Sequence, residues 1–244
     1  MSMFKTTDDL IQKFIGTEED LKADYLKREN SNFVYSLPLL RKNLSNMAEE
    51  AYLLNHILPK ALVDLYKDGI VYIHDKQLSS YCQSISCKDI ATYGIPSVAK
   101  NMLESAPASS FPTLIRHFSN VVTLMSQQVS GAIMLSQMTS ILASYLYDEH
   151  LNGITYEQAT IHKYLYQLIY EMNLPLRSGS ESAFSNCTLE FGKPSEEIKD
   201  DYVIIGGQPR SYQYKDIPAA FFDQVNDAII TAMAKGTQKG IPLT

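Results

Sequence analysis

Apolar residues recur at helical spacing along much of the chain, and this pattern predicts a helix-rich, mixed α/β fold. Across residues 39–54 the apolar positions follow a period of 3.6 residues, which indicates an amphipathic helix. A second helix is predicted after Pro59 and is expected to stop at Gly69, because proline fits the first turn of a helix and glycine its C-terminal end. Residues 71–74 have strand character, so a helix-to-strand junction is predicted here.

The longest helical pattern covers residues 113–148 and carries no charge between Phe118 and Tyr147. A helix without a charged face is surrounded by protein, in a core or at a subunit interface. The small residues at 130–132 and Ser136 would let another backbone approach closely. One long buried helix is therefore predicted across this segment.

Shorter elements are predicted on both sides of this segment. Residues 87–94 indicate one or two helical turns that end at a glycine. A helix is predicted at about 156–172, with Thr155 and Gln158 forming a capping box, and another at about 217–235. The run VIIGG predicts a short strand that ends in a tight turn. No internal repeat or shift in composition marks a boundary, so one domain is predicted.

Composition and charge restrict the function classes. The chain has 244 residues, of which 45% are hydrophobic and 20% charged, and this is ordinary for a globular domain. Its net charge of -6 argues against binding nucleic acid by bulk electrostatics, but it leaves small phosphorylated ligands open. Three cysteines make a disulfide scaffold improbable and favour a reducing compartment. No signal peptide or membrane span is recognised, so a cytoplasmic location is predicted.

Two groups of polar residues are candidates for chemistry. Cys82 and Cys87 have the spacing C-x4-C, and zinc sites usually use C-x2-C pairs, so a metal site is not expected. The preceding His74 and Asp75 could orient or protonate a substrate, or could simply pack in the core. The hydroxyl-rich run PLRSGSESAFSNCT, with Arg177, could hold a phosphate or could be an ordinary polar loop. Spacing alone leaves these alternatives open.

Four blocks, taken in order, resemble segments of the anaerobic (class III) ribonucleotide reductases of the glycyl radical enzyme superfamily. They read ENSNFVYSLPLL, then GIVYIHD followed by YC and KDI, then QQVSGAIMLSQMTSILASYL, then NLPLRSGSESAFSNCTLEF. VIIGG and the closing KGIPLT also match in order. Each block is weak alone, and their order across about residues 28–244 makes the set specific. Residues 1–27 are predicted to be a charged helical extension.

The resemblance implies a fold and a reaction. The implied fold is the first half of a ten-stranded αβ barrel, and the implied reaction is radical removal of the 2'-hydroxyl of a ribonucleoside triphosphate. In that family a glycyl radical is installed by an iron–sulfur and S-adenosylmethionine activase, and a zinc site lies in the C-terminal part. Neither falls within this chain, so no cofactor or metal is expected here. The implied partners are the substrate, an effector nucleotide, the activase, a second copy of the chain and a C-terminal partner chain, without DNA or membrane.

The resemblance also assigns roles to individual residues. Cys82 matches the family's cysteine on the first barrel strand, Asn186 matches an asparagine near the substrate, and His74 matches the histidine of the HIHD block. Candidates for ribose or phosphate contacts, by resemblance only, are Ser36, Arg177 and Ser185. Cys87 and Cys187 fall at variable positions, and Cys87 is expected to pack in the core.

Departures from the family pattern set the alternatives. Thr139 replaces an expected acid, Ser144 replaces the proline of an LAP motif, and the chain ends where the family continues. This segment is therefore expected not to turn over by itself. Other interpretations are a formate-lyase relative, against which the ENSN and IHD blocks count, a non-catalytic nucleotide-binding or assembly module, and a purely structural helical domain.

Overall fold

The predicted mixed, helix-rich α/β class is confirmed in the computed structural model, which describes residues 37–96, 104–174, 176–177, 182–241 and 243. In chain order the elements are helices α1 (Leu37–Tyr52) and α2 (Lys60–Lys67), strand β1 (Gln83–Ser86), α3 (Cys87–Tyr93), α4 (Phe111–Ser126), β2 (Ile133–Ser136), α5 (Met138–Leu151), α6 (Gln158–Met172), β3 (Ser185–Cys187), β4 (Tyr202–Ile205), β5 (Gln208–Gln213) and α7 (Ala219–Lys235), with a π-helical turn at Leu53–Ile57 and a 3₁₀ turn at Tyr214–Asp216. The predicted extension at 1–27 lies outside the described residues, and the ten-stranded barrel stays a prediction.

The strand predicted at residues 71–74 is wrong, because this segment has irregular backbone. The next two residues, Asp75 and Lys76, have φ angles of 52° and 51°, and such left-handed residues interrupt extended backbone. The Lys76 ammonium donates to a carboxylate oxygen of Glu50 and to the hydroxyl of Tyr66, both at 2.8 Å, so the segment is held against α1 and α2. Strand β1 begins later, where β2 offers a parallel partner.

The single long helix predicted at 113–148 is also wrong, because strand β2 divides the segment into α4 and α5. A Cβ atom on Gly131 would lie 2.5 Å from the carbonyl oxygen of Tyr81, which confirms the close backbone approach predicted for the small residues. The left-handed Gln137, with φ of 62°, separates β2 from α5. Strand β2 alternates between buried residues and the partly buried Met134 and Ser136, and its lack of charge is equally compatible with a buried helix.

The three parallel strands have the order β1-β2-β3, and their register defines two faces. Ile133 and Leu135 of β2 are fully buried and point into the core. Side chains alternate along a strand, so Met134 points to the opposite face. Ser84 of β1 and Asn186 of β3 pair with Met134 in the register and share that face. We call it the open face, because Ser84 and Asn186 are exposed there.

Helices α4 to α7 build the core beside this sheet. Helix α6 packs against α4 and α7, and α7 also packs against α5. The largest fully buried side chains include Phe111, Phe118, Tyr145 and Phe222. The helices thus support one face of the sheet and leave the open face available for a functional site.

The C-terminal elements follow the predictions closely, with one correction. Helices α6 and α7 lie within a few residues of their predicted bounds, and β4 turns into β5 through two glycines with positive φ. The capping box predicted at α6 is absent, because the hydroxyl of Thr155 pairs with Nδ1 of His150 at 3.0 Å. Glu157 occupies the N-cap position, with no hydrogen bond from its side chain to the helix.

Candidate active site at the start of the parallel sheet

Cys82 lies immediately before β1 and is exposed. The main chain around it pairs with the segment before β2, since the Gln83 amide donates to the Ala132 carbonyl at 2.9 Å and the Gly131 amide donates to the Tyr81 carbonyl. The sulfur of Cys82 accepts a hydrogen bond from the Ala132 amide at 3.3 Å. The thiol is therefore accessible and yet held in place by the backbone of the neighbouring strand.

Asn186 lies on β3, two strands from β1, which corresponds to about 10 Å across the sheet. The register changes by one residue just before β1, from the bridge between Ser80 and Val129 to the pairing of Gln83 with Ile133, so the alternation of side chains in β1 does not extend to Cys82. Both Cys82 and Asn186 are exposed. A thiol and a neutral amide at the same sheet are thus available to a polar ligand.

The ring of His74 contacts that of Tyr81, the residue before Cys82. Its Nδ1 lies 2.8 Å from a carboxylate oxygen of Asp75, and its ring centroid lies 5.0 Å from that of Tyr81, edge to face. The side chain of His74 is 62% exposed, so the core-packing interpretation of this histidine does not apply. His74 borders the region of Cys82 without a direct contact to its sulfur, and its assigned role stays a prediction.

Arg177 is 4% exposed, and its guanidinium group faces main-chain carbonyls. Nε donates to Ser126 at 3.2 Å, and the two terminal nitrogens donate to Ser130 at 2.9 Å and to Gly131 at 2.7 Å. The three acceptors lie between the end of α4 and the start of β2. Sequence reasoning placed Arg177 near the site but did not find these partners, because backbone acceptors leave no signal in the sequence.

Ser185 lies at the start of β3, half-buried and paired with Ile133. With Asn186 and Cys187 it lines a cavity of about 240 Å³ whose other walls are largely apolar and include Met138 and Met172. Ser36, the remaining predicted contact, lies outside the described residues. The site roles predicted for Ser36 and Ser185 stay predictions.

The other two cysteines are less suited to chemistry. Cys87 is fully buried, in agreement with packing, and burial raises the pKa of its thiol well above the usual value, with smaller contributions from Cys187 and Glu190. Burial also raises the pKa of Cys187, and the carboxylate of Glu190 adds to this effect. Because the thiolate is the nucleophile, both thiols are poorly reactive at neutral pH.

Gly131 and Ala132 are site residues whose contact with Cys82 sequence reasoning missed. Their small size predicted a close backbone approach, but the partner was not identified because the segment was interpreted as helix. Within the described ranges, no group of three or more His, Cys, Asp or Glu side chains could hold a metal ion. No helix in the same ranges is long and apolar enough to cross a membrane.

Comparison with known proteins gives a consistent family. A family model described as anaerobic ribonucleoside-triphosphate reductase matches residues 29–244. The anaerobic ribonucleoside-triphosphate reductase of Escherichia coli (strain K12) is 21% identical over 146 residues, which cover 58% of this chain and 20% of that protein. The chain thus spans about a fifth of the length of this curated relative.

Two solved structures of the anaerobic ribonucleotide reductase from Thermotoga maritima share the fold. The structure in complex with dATP and CTP has a TM-score of 0.60 and 22% identity, over 92% of this chain and 37% of that chain. The structure with glycerol in the active site has a TM-score of 0.62 and 22% identity, over 91% of this chain and 36% of that chain. The similarity therefore covers nearly all of this chain and little more than a third of each solved chain.

Proposed function

The chain belongs to the anaerobic ribonucleoside-triphosphate reductase family, and we propose that it contributes the first half-barrel and one active-site cysteine to the reduction of ribonucleoside triphosphates to deoxyribonucleotides. One observation carries the proposal. The exposed thiol of Cys82 is held at the start of a parallel sheet whose third strand carries the exposed Asn186.

The chemistry suits these side chains. A thiol can deliver a hydrogen atom or a proton to a sugar, and the Ala132 amide keeps the sulfur of Cys82 in a defined position. The neutral amide of Asn186 can hydrogen-bond ribose oxygens without adding charge. In this family a glycyl radical starts the reaction. An external reductant, formate or a thiol protein, would return the two electrons that each turnover consumes.

Nucleotide partners fit the same proposal. One solved Thermotoga maritima structure is a complex with dATP and CTP, and another has dATP bound in the specificity site. We propose that this chain likewise binds a ribonucleoside triphosphate and takes part in a site for an effector nucleotide. We also propose a second copy of the chain, the radical-forming activase and a C-terminal partner chain as partners in this function.

The two substitutions that suggested a non-catalytic module have local structural explanations. Thr139 is fully buried, and its hydroxyl pairs with the Asn226 amide oxygen at 3.0 Å and the Thr188 carbonyl at 3.2 Å. Ser144 is also fully buried and donates to the Ile141 carbonyl at 2.8 Å. Both positions lie inside α5, within the core. The departures therefore do not count against catalysis at Cys82.

The test is an anaerobic assay of deoxyribonucleotide formation by the activated holoenzyme that carries this segment. We expect Cys82→Ser to lower turnover by about 100-fold or more, the range lost when a proton- or hydrogen-transferring side chain is removed. Cys87→Ala is the matched control, because Cys87 is buried away from the open face. It should leave activity largely intact. Full activity of Cys82→Ser, with nucleotide binding retained in calorimetry, would instead support the non-catalytic module.

A further inference from the structure

Arg177 donates to main-chain carbonyls at the C-terminal end of α4 and just before β2. The last carbonyls of a helix lack partners within the helix, and Ser126 is the final residue of α4. The next two acceptors, Ser130 and Gly131, belong to the connection between α4 and β2. One buried guanidinium thus links the C-terminal end of α4 to the residues just before β2, and it stabilises their relative position.

The same connection holds the Cys82 region. The Ser130 amide donates to the Ser80 carbonyl at 3.1 Å, and the Ala132 amide donates to the sulfur of Cys82 at 3.3 Å. Arg177 therefore binds one edge of residues 130–132, and the residues around Cys82 bind the other edge. A shift of residues 130–132 would therefore move the Ala132 amide, which donates to the sulfur of Cys82.

Gly131 fits the same arrangement by its lack of a side chain. A Cβ atom there would lie 2.5 Å from the Tyr81 carbonyl oxygen and 2.9 Å from the sulfur of Cys82. Both distances are far shorter than a normal van der Waals contact. A larger side chain at position 131 must therefore push residues 130–132 away from Cys82.

We propose that Arg177 is a positioning residue for the Cys82 thiol, and that it acts through the backbone of residues 130–132. This proposal rests on the proposed function, since it concerns the same thiol. It also replaces the role suggested by family resemblance, a direct contact to ribose or phosphate. Its distinctive consequence is that Arg177 controls the reactivity of Cys82 in the absence of any nucleotide.

The test measures the rate at which iodoacetamide alkylates Cys82 in the 244-residue chain, resolved from the other cysteines by mass spectrometry of peptides. Alkylation requires the sulfur of Cys82 to face the reagent, and the Ala132 amide holds the sulfur in one orientation. Loss of one such hydrogen bond corresponds to about a three- to tenfold change in rate. We expect Arg177→Met to slow alkylation by this factor, with Arg177→Lys intermediate, because lysine keeps the charge but cannot reach all three carbonyls.

Arg116→Met is the matched control, since Arg116 is an exposed arginine of α4 that pairs with Glu171. It should leave the alkylation rate unchanged. Gly131→Ala is the second probe and should also slow alkylation, so the proposal stays testable if Arg177→Met does not fold. Circular dichroism establishes folding of each variant.

Two results would overturn the proposal. One is an unchanged or faster alkylation rate in folded Arg177→Lys and Gly131→Ala. The other is weakened binding of CTP to the Arg177→Lys holoenzyme with an unchanged alkylation rate, which would make Arg177 a substrate contact. Failure of the proposed function would appear separately, as full turnover of Cys82→Ser.

Discussion

Asp148 near the end of α5 offers the sharpest test of the packing described above. Its carboxylate accepts hydrogen bonds from Arg210, at 2.6 Å from Nε and 3.2 Å from a terminal nitrogen, and from the Tyr212 hydroxyl at 2.9 Å. The Asp148 side chain is 7% exposed and that of Arg210 is 33% exposed. The carboxylate therefore ties the β4–β5 hairpin to the helical core.

The expected cost of Asp148→Ala follows from this geometry. Breaking a fully buried ion pair by removing one partner costs about 3–5 kcal/mol, because the remaining charge is left uncompensated. Since Arg210 is one-third exposed, water recovers part of this cost. We expect the free energy of unfolding to fall by about 2–4 kcal/mol. The melting temperature should then fall by roughly 5–15 °C for a chain of this size.

The measurement is equilibrium unfolding in urea for Asp148→Ala, Arg210→Met and the double variant. The double-mutant cycle should give a coupling of about 1–2 kcal/mol between the two side chains. Asp200→Ala is the control, because Asp200 forms an exposed ion pair with Lys215, and we expect no measurable change in stability. A loss below about 1 kcal/mol in Asp148→Ala, or a coupling near zero, would refute the reasoning.

Two further predictions concern a buried acid and a constrained glycine. Burial raises the pKa of the Glu190 carboxyl above 4.5, and hydrogen bonds from Ser140 oppose this shift. The carboxyl therefore stabilises the fold fully below its pKa in the unfolded chain, and this contribution to stability is lost as pH rises through its pKa in the folded chain. Glu190→Gln should therefore gain stability relative to the wild type between pH 4.5 and neutral pH in urea unfolding, and a constant difference would contradict this. Gly94→Ala should lower stability by more than about 3 kcal/mol, since φ is 74° and the new Cβ would meet the Ser105 carbonyl at 2.0 Å. Gly153 has a φ of 83° and open space around the position of a new Cβ, so Gly153→Ala should lower stability by only about 1 kcal/mol. Equal losses in the two variants would show that the clash at Gly94 is relieved.

The helices were predictable where one face is apolar and the other polar. Helices α1, α6 and α7 have this pattern, and their bounds agree with the expected ones to within a few residues. Strand β2 was not predictable from periodicity, because a short uncharged run of four residues fits a buried helix as well as a strand. The strand expected at residues 71–74 failed for a different reason. Its residue types suit a strand, but tertiary contacts of Lys76 hold the segment elsewhere.

The residues of the candidate site were easier to predict from the sequence than their arrangement in space. Family resemblance singled out Cys82 and Asn186, but their place at one sheet depends on the pairing of three strands that are distant in sequence. The contact between Cys82 and the Ala132 amide could not be predicted, since every residue carries such an amide. Arg177 was expected near a ligand, and its backbone partners became visible only in three dimensions.

The parallel pairing also affects the order in which the chain folds. Cys82 and Ala132 are 50 residues apart in sequence, so their contact requires closure of a long loop. Closing a loop of this length costs about 3–4 kcal/mol of chain entropy, beyond a constant for any loop. The β4–β5 hairpin and the individual helices need no such closure and can form early. The surroundings of the Cys82 thiol are therefore expected to be assembled after the individual helices and this hairpin have formed.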